Sequence, residues 1–108
     1  MIYCFDIDGT ICSSVENSEY HKAEKFEDCV SEINRLYSEG HRIIMMTARG
    51  SVSKKDWTEL TVTQLNDWGV KYHELIMHKK PNADFFIDDK AINASDWRQS
   101  IGKKNDSN

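Results

Sequence analysis

Two aspartates, Asp6 and Asp8, follow an apolar segment at the start of the chain and are well suited to chemistry. The segment Met1-Ile2-Tyr3-Cys4-Phe5 is rich in strand-forming residues, and Gly9 ends it. Because side chains alternate along a strand, the two carboxylates point the same way. Neighbouring carboxylates repel each other unless a cation or a shared proton intervenes. The pair therefore predicts a metal site, acid–base chemistry, or both.

Taken alone, an Asp-x-Asp-Gly-Thr segment is also typical of an ordinary strand-to-turn exit. Two further strand ends favour the functional interpretation. The predicted strand over 42–47 ends at Thr47, and the predicted strand Phe85-Phe86-Ile87 is followed by Asp88 and Asp89. Ligands of parallel sheets bind beyond the carboxyl ends of the strands. The polar residues of three strands are thus expected to converge there.

The elements that must position these residues alternate between strands and helices. Apolar residues at helical spacing predict a helix from Phe26 to Tyr37 and a second one up to Gly69, which Ser53 and Asp56 would open as a capping box. A short strand is predicted over 74–77 and a last helix over 95–101. Such alternation indicates a parallel sheet with helices on its faces. The polar loop over 9–25 is long for so small a domain, which is typical of a functional loop.

Size and composition limit the classes of function. The 108 residues suit one domain, and 39% hydrophobic with 30% charged residues is ordinary for a soluble protein. A net charge of −4 argues against broad nucleic-acid binding. No membrane span or leader is apparent, so we expect a cytoplasmic protein. The three cysteines (Cys4, Cys12 and Cys29) are expected to be free thiols, and an inert Cys12 is favoured over a reactive one.

Four segments carry a resemblance to a known family. FDIDGT, MMTAR, the Lys-Pro of HKKPNAD, and FFIDD resemble, in this order, the four motifs of the haloacid dehalogenase (HAD) superfamily, over about residues 2–96. TARG, WGVKYHELI and KPNADFFIDDKAI look most like small capless phosphatases of capsular or surface-polysaccharide biosynthesis. The resemblance implies a Rossmann-like three-layer α/β sandwich with strand order 4-1-2-3, helices on both faces and no cap domain. It implies one catalytic domain over 1–102, with a flap-like loop at 9–25 and a disordered tail at 103–108.

The resemblance also implies catalytic roles. Asp6 would be the nucleophile that accepts the phosphoryl group, and Asp8 would protonate the leaving oxygen and then deprotonate the hydrolytic water. Thr47 would donate its hydroxyl to a phosphate oxygen. Lys80, which precedes Pro81, would neutralise charge there, and it is preferred over Lys79.

A divalent cation belongs to the same implied site. Mg²⁺ would be held by Asp6, the backbone carbonyl of Asp8, and Asp88, with Asp89 in support. Hard carboxylate oxygens without nearby His or Cys favour Mg²⁺ over zinc. Four aspartates would bring −4 to the site, whereas Mg²⁺ and one lysine return only +3.

Substrate-binding positions implied by the motifs are Gly9, Thr10, Ala48 and Arg49. For Arg49 three interpretations stay open. Its planar fork suits the substrate phosphate or a remote carboxylate, and it is nearly as well explained as a surface-loop arginine.

We therefore expect a Mg²⁺-dependent phosphomonoesterase that forms an aspartyl phosphate on a small metabolite, with a sugar or sugar-linked phosphate implied by the resemblance. A phosphotransferase or a nucleic-acid 3′-phosphatase of the same superfamily is the alternative, and a silent or phospho-accepting regulatory domain is the alternative of another class. No nucleic-acid or membrane partner is expected. A homo-oligomer, dimer or tetramer, is expected to help cover the site.

Overall fold

The computed structural model describes residues 1–51, 53–78 and 83–89. Within these ranges the chain forms four strands, two helices and one turn of 3₁₀ helix in the loop after the first strand. In chain order the elements are β1 (Ile2–Asp6), the 3₁₀ turn (Tyr20–Lys22), α1 (Glu27–Ser38), β2 (Arg42–Thr47), α2 (Thr58–Asp67), β3 (Glu74–Met77) and β4 (Phe85–Ile87).

The four strands form one parallel sheet in the order β3-β2-β1-β4, which is the predicted order 4-1-2-3. Its register pairs Asp6 with Met46, Thr47 with Met77, and Phe5 with Ile87. The carboxyl ends of β1, β2 and β4 therefore lie side by side at one edge. This confirms the predicted α/β class and the predicted convergence of strand ends.

Both described helices pack against the same face of the sheet. One buried cluster contains Phe5 and Met45 from the sheet, Val30 and Ile33 from α1, and Leu65 from α2. The predicted helix over 95–101 lies outside the described residues, as does the predicted tail at 103–108. None of the described helices is long and apolar enough to span a membrane.

The start of α2 differs from the predicted capping box. The helix begins at Thr58, whose backbone N–H donates to Asp56 Oδ1 at 2.9 Å. The Ser53 hydroxyl instead accepts from the backbone N–H of Lys55 at 3.3 Å. Asp56 alone therefore supports the first turn, because Ser53 is held in the preceding loop.

The loop over 9–25 is anchored at both ends rather than loosely solvated. Ile11 and Cys12 are fully buried. The backbone N–H of Phe26 donates to Ile11 O at 2.8 Å, and that of Ser13 donates to Glu24 O at 2.8 Å. The middle of the loop, including the 3₁₀ turn, is thereby held beside the carboxyl edge of the sheet. We refer to residues 14–22 as the flap.

Candidate active site

A cleft of about 660 Å³ opens at the carboxyl edge of the sheet. Strand ends form its floor, the flap forms one side, and Ser51 and His78 line another part of its wall. Seven of the predicted site residues line it, namely Asp6, Asp8, Thr47, Ala48, Arg49, Asp88 and Asp89. The edge that the sequence predicted is therefore a concave site.

Three carboxylates form a cluster in this cleft. Oxygen atoms of Asp6, Asp88 and Asp89 all lie within 4.8 Å of one another. Burial is the main cause that raises the pKa of Asp6 to about 6. A hydrogen bond from the backbone of Ile7 opposes this shift, and the negative charges of Asp88, Asp8 and Asp89 add to it. A proton or a cation is thus favoured at this position. The all-oxygen donor set fits Mg²⁺, which prefers carboxylate ligands.

Gly9 has a steric reason to be glycine. Its φ is +82°, and a Cβ there would overlap the carboxylate of Asp89 and approach Ser14 Oγ at 3.1 Å. Its backbone N–H donates to Cys12 O at 2.9 Å, which closes the turn after β1. Any larger residue would therefore displace Asp89 from the cluster.

Asp8 lies in a different environment from the three clustered carboxylates. Arg49 donates from Nε to Asp8 Oδ2 at 2.9 Å and from Nη2 to Asp8 Oδ1 at 2.8 Å. This is a bidentate ion pair, the geometry in which a guanidinium binds a carboxylate most strongly. The Arg49 side chain is 0% exposed and that of Asp8 is 25% exposed. The orientation of the Asp8 carboxylate is therefore fixed by Arg49, while the carboxylate remains partly exposed to the cleft.

Two of the three interpretations of Arg49 can be judged from its contacts and burial. Its guanidinium meets a remote carboxylate, that of Asp8, and it is not a surface-loop arginine. Nη1 also donates to Thr61 Oγ1 at 3.1 Å and to Gln64 Oε1 at 2.6 Å. Arg49 also lines the cleft, and its predicted contact with a substrate phosphate stays a prediction.

Thr47 and Ala48 end β2 at the cleft. Thr47 is 2% exposed, and its hydroxyl oxygen accepts from the backbone N–H of Arg49 at 3.1 Å. Its own proton is left for another acceptor, which is compatible with the predicted contact to a phosphate oxygen.

The hydroxyl of Thr10, also predicted to bind substrate, is buried without a hydrogen-bond partner among the described residues. Lys80 and Lys79 lie outside the described residues, so their predicted roles stay predictions.

Sequence reasoning missed several residues of the cleft. Tyr20, Ser14 and Val15 reach it from the flap, which carries no periodic pattern. The four histidines show no metal-ligand spacing in the sequence, yet His78 directly follows β3, so the strand-end argument could have found it. His78 also has a φ of +69°, an uncommon backbone conformation for a residue other than glycine.

Cys12 is inert by its environment, as the sequence favoured. It is fully buried, with Sγ 3.8 Å from Asp8 Oδ1. Burial, followed by the nearby Asp8 charge, raises the pKa of the Cys12 thiol to about 12. The thiolate needed for a nucleophile is therefore absent at neutral pH.

Comparisons with known proteins place this geometry in a family. The profile of the polynucleotide kinase PNKP phosphatase domain matches residues 1–104. A solved structure from Vibrio cholerae, described as an MCSG target, is 22% identical with a TM-score of 0.59, over 96% of this chain and 99% of that chain.

A second solved structure, described as the Pnkp1/Rnl/Hen1 complex, is 14% identical with a TM-score of 0.57 over 93% of this chain. The chain spans 33% of that protein's length. Both likenesses concern the fold. No protein in the curated set matches significantly. The match of the family profile over nearly the whole chain decides the assignment: the chain belongs to the PNKP phosphatase-domain family of the HAD superfamily, and it is a phosphatase of that type.

Proposed function

We propose that this protein is a Mg²⁺-dependent phosphomonoester hydrolase that acts through an aspartyl phosphate on Asp6. One observation carries the proposal. The carboxylates of Asp6, Asp88 and Asp89 converge within 4.8 Å, whereas Asp8 lies beside them in a separate ion pair with Arg49. The site thus has a cation-demanding cluster and a distinct carboxyl group for proton transfer.

The chemistry follows from these two environments. Asp6 attacks the phosphorus atom, and the bond to the leaving oxygen breaks as Asp8 gives that oxygen a proton. Asp8 then takes a proton from the water that hydrolyses the aspartyl phosphate, which restores Asp6. The Thr47 hydroxyl donates to a phosphate oxygen. Negative charge on the transferred group makes positioning and electrostatics the main sources of catalysis in such reactions.

Asp6, Asp88 and the backbone carbonyl of Asp8 would hold the metal ion, with Asp89 in support. Bound Mg²⁺ supplies positive charge for the phosphate oxygens and permits Asp6 to be ionised among other carboxylates. Burial first, and the neighbouring carboxylate charges after it, raise the pKa of Asp6 to about 6, so a bound cation would favour its ionised form. Gly9 supports this arrangement because it leaves room for Asp89.

Two substrate classes are supported by different observations. The net charge of −4 and a cleft with four aspartates favour a small phosphorylated metabolite. The choice of a sugar or sugar-linked phosphate of surface-polysaccharide biosynthesis rests on the resemblance of the motifs alone. The match to the PNKP phosphatase domain favours a polynucleotide 3′-phosphate.

The experiment is a phosphate-release screen with matched substrates, with and without Mg²⁺. It compares sugar phosphates, nucleoside 3′-monophosphates and a 3′-phosphorylated oligonucleotide. Preference for a sugar phosphate supports the first class, and preference for the oligonucleotide over its own nucleoside 3′-monophosphate supports the second. No Mg²⁺-dependent release from any ester would contradict the proposal and favour a silent or phospho-accepting domain.

We also propose a homo-oligomer in which a neighbouring subunit helps to cover the site. Trp68 and Tyr72 are partly buried and pack against the core cluster. The large apolar side chains that are exposed include Phe26, Phe85 and Ile87. Light scattering tests the oligomer, and a monomer at assay concentration would leave the flap as the cover of the site.

A further inference from the structure

Arg49 links Asp8 to two residues that no catalytic motif contains, Gln64 on α2 and Tyr20 in the flap. We propose that Gln64 and Tyr20 are positioning residues, which hold Arg49 so that Asp8 is oriented to transfer a proton to the leaving group. The proposal rests on the phosphatase function proposed above. It adds that the proton-transfer step depends on the flap through a chain of direct contacts.

Gln64 uses both the oxygen and the nitrogen of its side-chain amide in these contacts. Its Oε1 accepts from Arg49 Nη1 at 2.6 Å, and its Nε2 donates to the backbone carbonyl of Tyr20 at 2.5 Å. An uncharged side chain with an acceptor and a donor is needed to satisfy both partners. Gln64 therefore joins the flap and the guanidinium through one rigid planar group.

Tyr20 makes a second contact through its ring. The Arg49 Cζ atom lies 4.5 Å from the ring centroid, which is a cation–π geometry. The ring of Trp57 packs against that of Tyr20 edge to face, with the centroids 5.0 Å apart. Tyr20 is therefore fixed on one side by an aromatic neighbour, and it covers the guanidinium on the other.

These contacts matter for Asp8 because a guanidinium is planar and its donors are rigid. When Nη1 is held by Gln64 and Thr61, the plane of the fork is set, and Nε and Nη2 then set the plane of the Asp8 carboxylate. Without the Nη1 partners the ion pair persists, but its orientation is no longer determined. Misplacement of a catalytic group by about 1 Å costs on the order of 10²-fold in rate.

Substrates that differ in whether the leaving group needs a proton can distinguish a role in orienting Asp8 from a general contribution to folding. An alkyl phosphate requires protonation of its leaving oxygen, whereas an activated aryl phosphate releases its phenolate without a proton. The ratio kcat/KM reports the steps up to departure of the leaving group. A defect in the orientation of Asp8 should therefore lower kcat/KM for the alkyl ester selectively.

The test compares Gln64→Leu and Tyr20→Leu with the control Thr63→Leu, which places the same side chain at an exposed neighbouring position of α2. The substrates are glycerol 3-phosphate and p-nitrophenyl phosphate at saturating Mg²⁺. Gln64→Leu is expected to lower kcat/KM for glycerol 3-phosphate by about 10- to 100-fold and for p-nitrophenyl phosphate by less than about threefold. Tyr20→Leu should show the same selectivity with a smaller loss, and Thr63→Leu should match the wild type.

An equal loss on both esters, or no loss on either, would overturn the proposal. If the wild type hydrolyses neither ester, the proposed phosphatase function is wrong for these substrates. The contacts of Gln64 with Arg49 are then tested by the thermal stability of variants. The melting temperatures of Gln64→Leu, Asp8→Asn and the double variant should be non-additive, since Arg49 joins the two positions. Additive shifts in the melting temperature would refute the network.

Discussion

Two groups of carboxylates lie at the same edge of the sheet but in opposite electrostatic conditions. Asp6, Asp88 and Asp89 face one another, and burial together with their mutual repulsion raises the pKa of Asp6 to about 6. Asp8, two residues beyond Asp6, is bound on both oxygens by the enclosed Arg49. One group consists of carboxylates that repel one another, and the other pairs a carboxylate with a guanidinium.

This difference explains how aspartates two residues apart can do different work. A cluster of carboxylates that repel one another favours a bound cation, which would suit a nucleophile that must meet a charged phosphate. A carboxylate held by a fork of N–H donors has a fixed orientation, which suits directed proton transfer. Role is thus assigned by surroundings rather than by residue type.

The largest expected effect comes from the cluster. Asp6→Asn should abolish turnover, by at least on the order of 10⁴-fold, because an amide cannot attack phosphorus. Phosphate release is measured with the best substrate of the screen at saturating Mg²⁺. Asp8→Asn should lose on the order of 10²- to 10⁴-fold, the range of general acid–base catalysis. Activity of Asp6→Asn near the wild-type level would refute the covalent mechanism.

The next effect concerns the ion pair. Arg49→Leu leaves Asp8 and the acceptors of Thr61 and Gln64 without their partner. It should lower the free energy of unfolding by about 3 kcal/mol, at the lower end of the range for a broken buried pair because Asp8 is partly exposed. Urea unfolding measures it. The control Arg42→Leu removes an exposed arginine whose contact with Glu74 is 3.3 Å, and it should cost about 1 kcal/mol or less. Equal losses in the free energy of unfolding for the two variants would show that the burial of Arg49 does not add to its contribution to stability.

Mg²⁺ should act on the cluster and leave the ion pair alone. At 100 times its dissociation constant it should stabilise the fold by about 2.7 kcal/mol. In a domain of this size that is a rise in the melting temperature of roughly 4–8 °C per kcal/mol. Asp88→Asn should reduce the rise, whereas Gln64→Leu should retain it. A wild type whose melting temperature ignores Mg²⁺ at activity-saturating concentrations would contradict the metal site.

The smallest expected effect is a pH dependence of the metal-free protein. Because the pKa of Asp6 is raised from 3.8 to about 6, the folded state holds a proton that the unfolded state has released. Its contribution to stability is present below about pH 4 and is lost as the pH rises through about 6. Melting curves from pH 4 to 7 in a chelator should show this decline relative to Asp6→Asn. If the difference in melting temperature between the wild type and Asp6→Asn stays constant from pH 4 to 7, Asp6 has an ordinary pKa.

The strand ends of the site were predictable from the sequence. Apolar runs followed by Asp6, Thr47 and Asp88 predicted strands with polar carboxyl ends, and the alternation with helices predicted a parallel sheet. Parallel pairing places those ends at one edge whatever the details of packing. The acidic cluster is therefore a consequence of local patterns and topology.

Only the tertiary structure decided the partner of Arg49. An arginine side chain is long and flexible, so its position after β2 was compatible with a phosphate, a carboxylate or solvent. The outcome depends on how α2 packs against the sheet, since that packing brings Thr61 and Gln64 beside the guanidinium. In the sequence, Thr61 and Gln64 lie in the predicted second helix and belong to none of the four motifs.

The position of Tyr20 was even less predictable from the sequence than the partner of Arg49. It lies in a loop without periodicity, and its place over Arg49 depends on the anchoring of Ile11, Cys12 and the loop ends against the core. A sequence reports which residues share a strand or a helix face, because those relations repeat at short spacing. Contacts between a loop, a helix and a strand end join residues 29 and 44 positions apart here, and their geometry is determined only when the chain is packed.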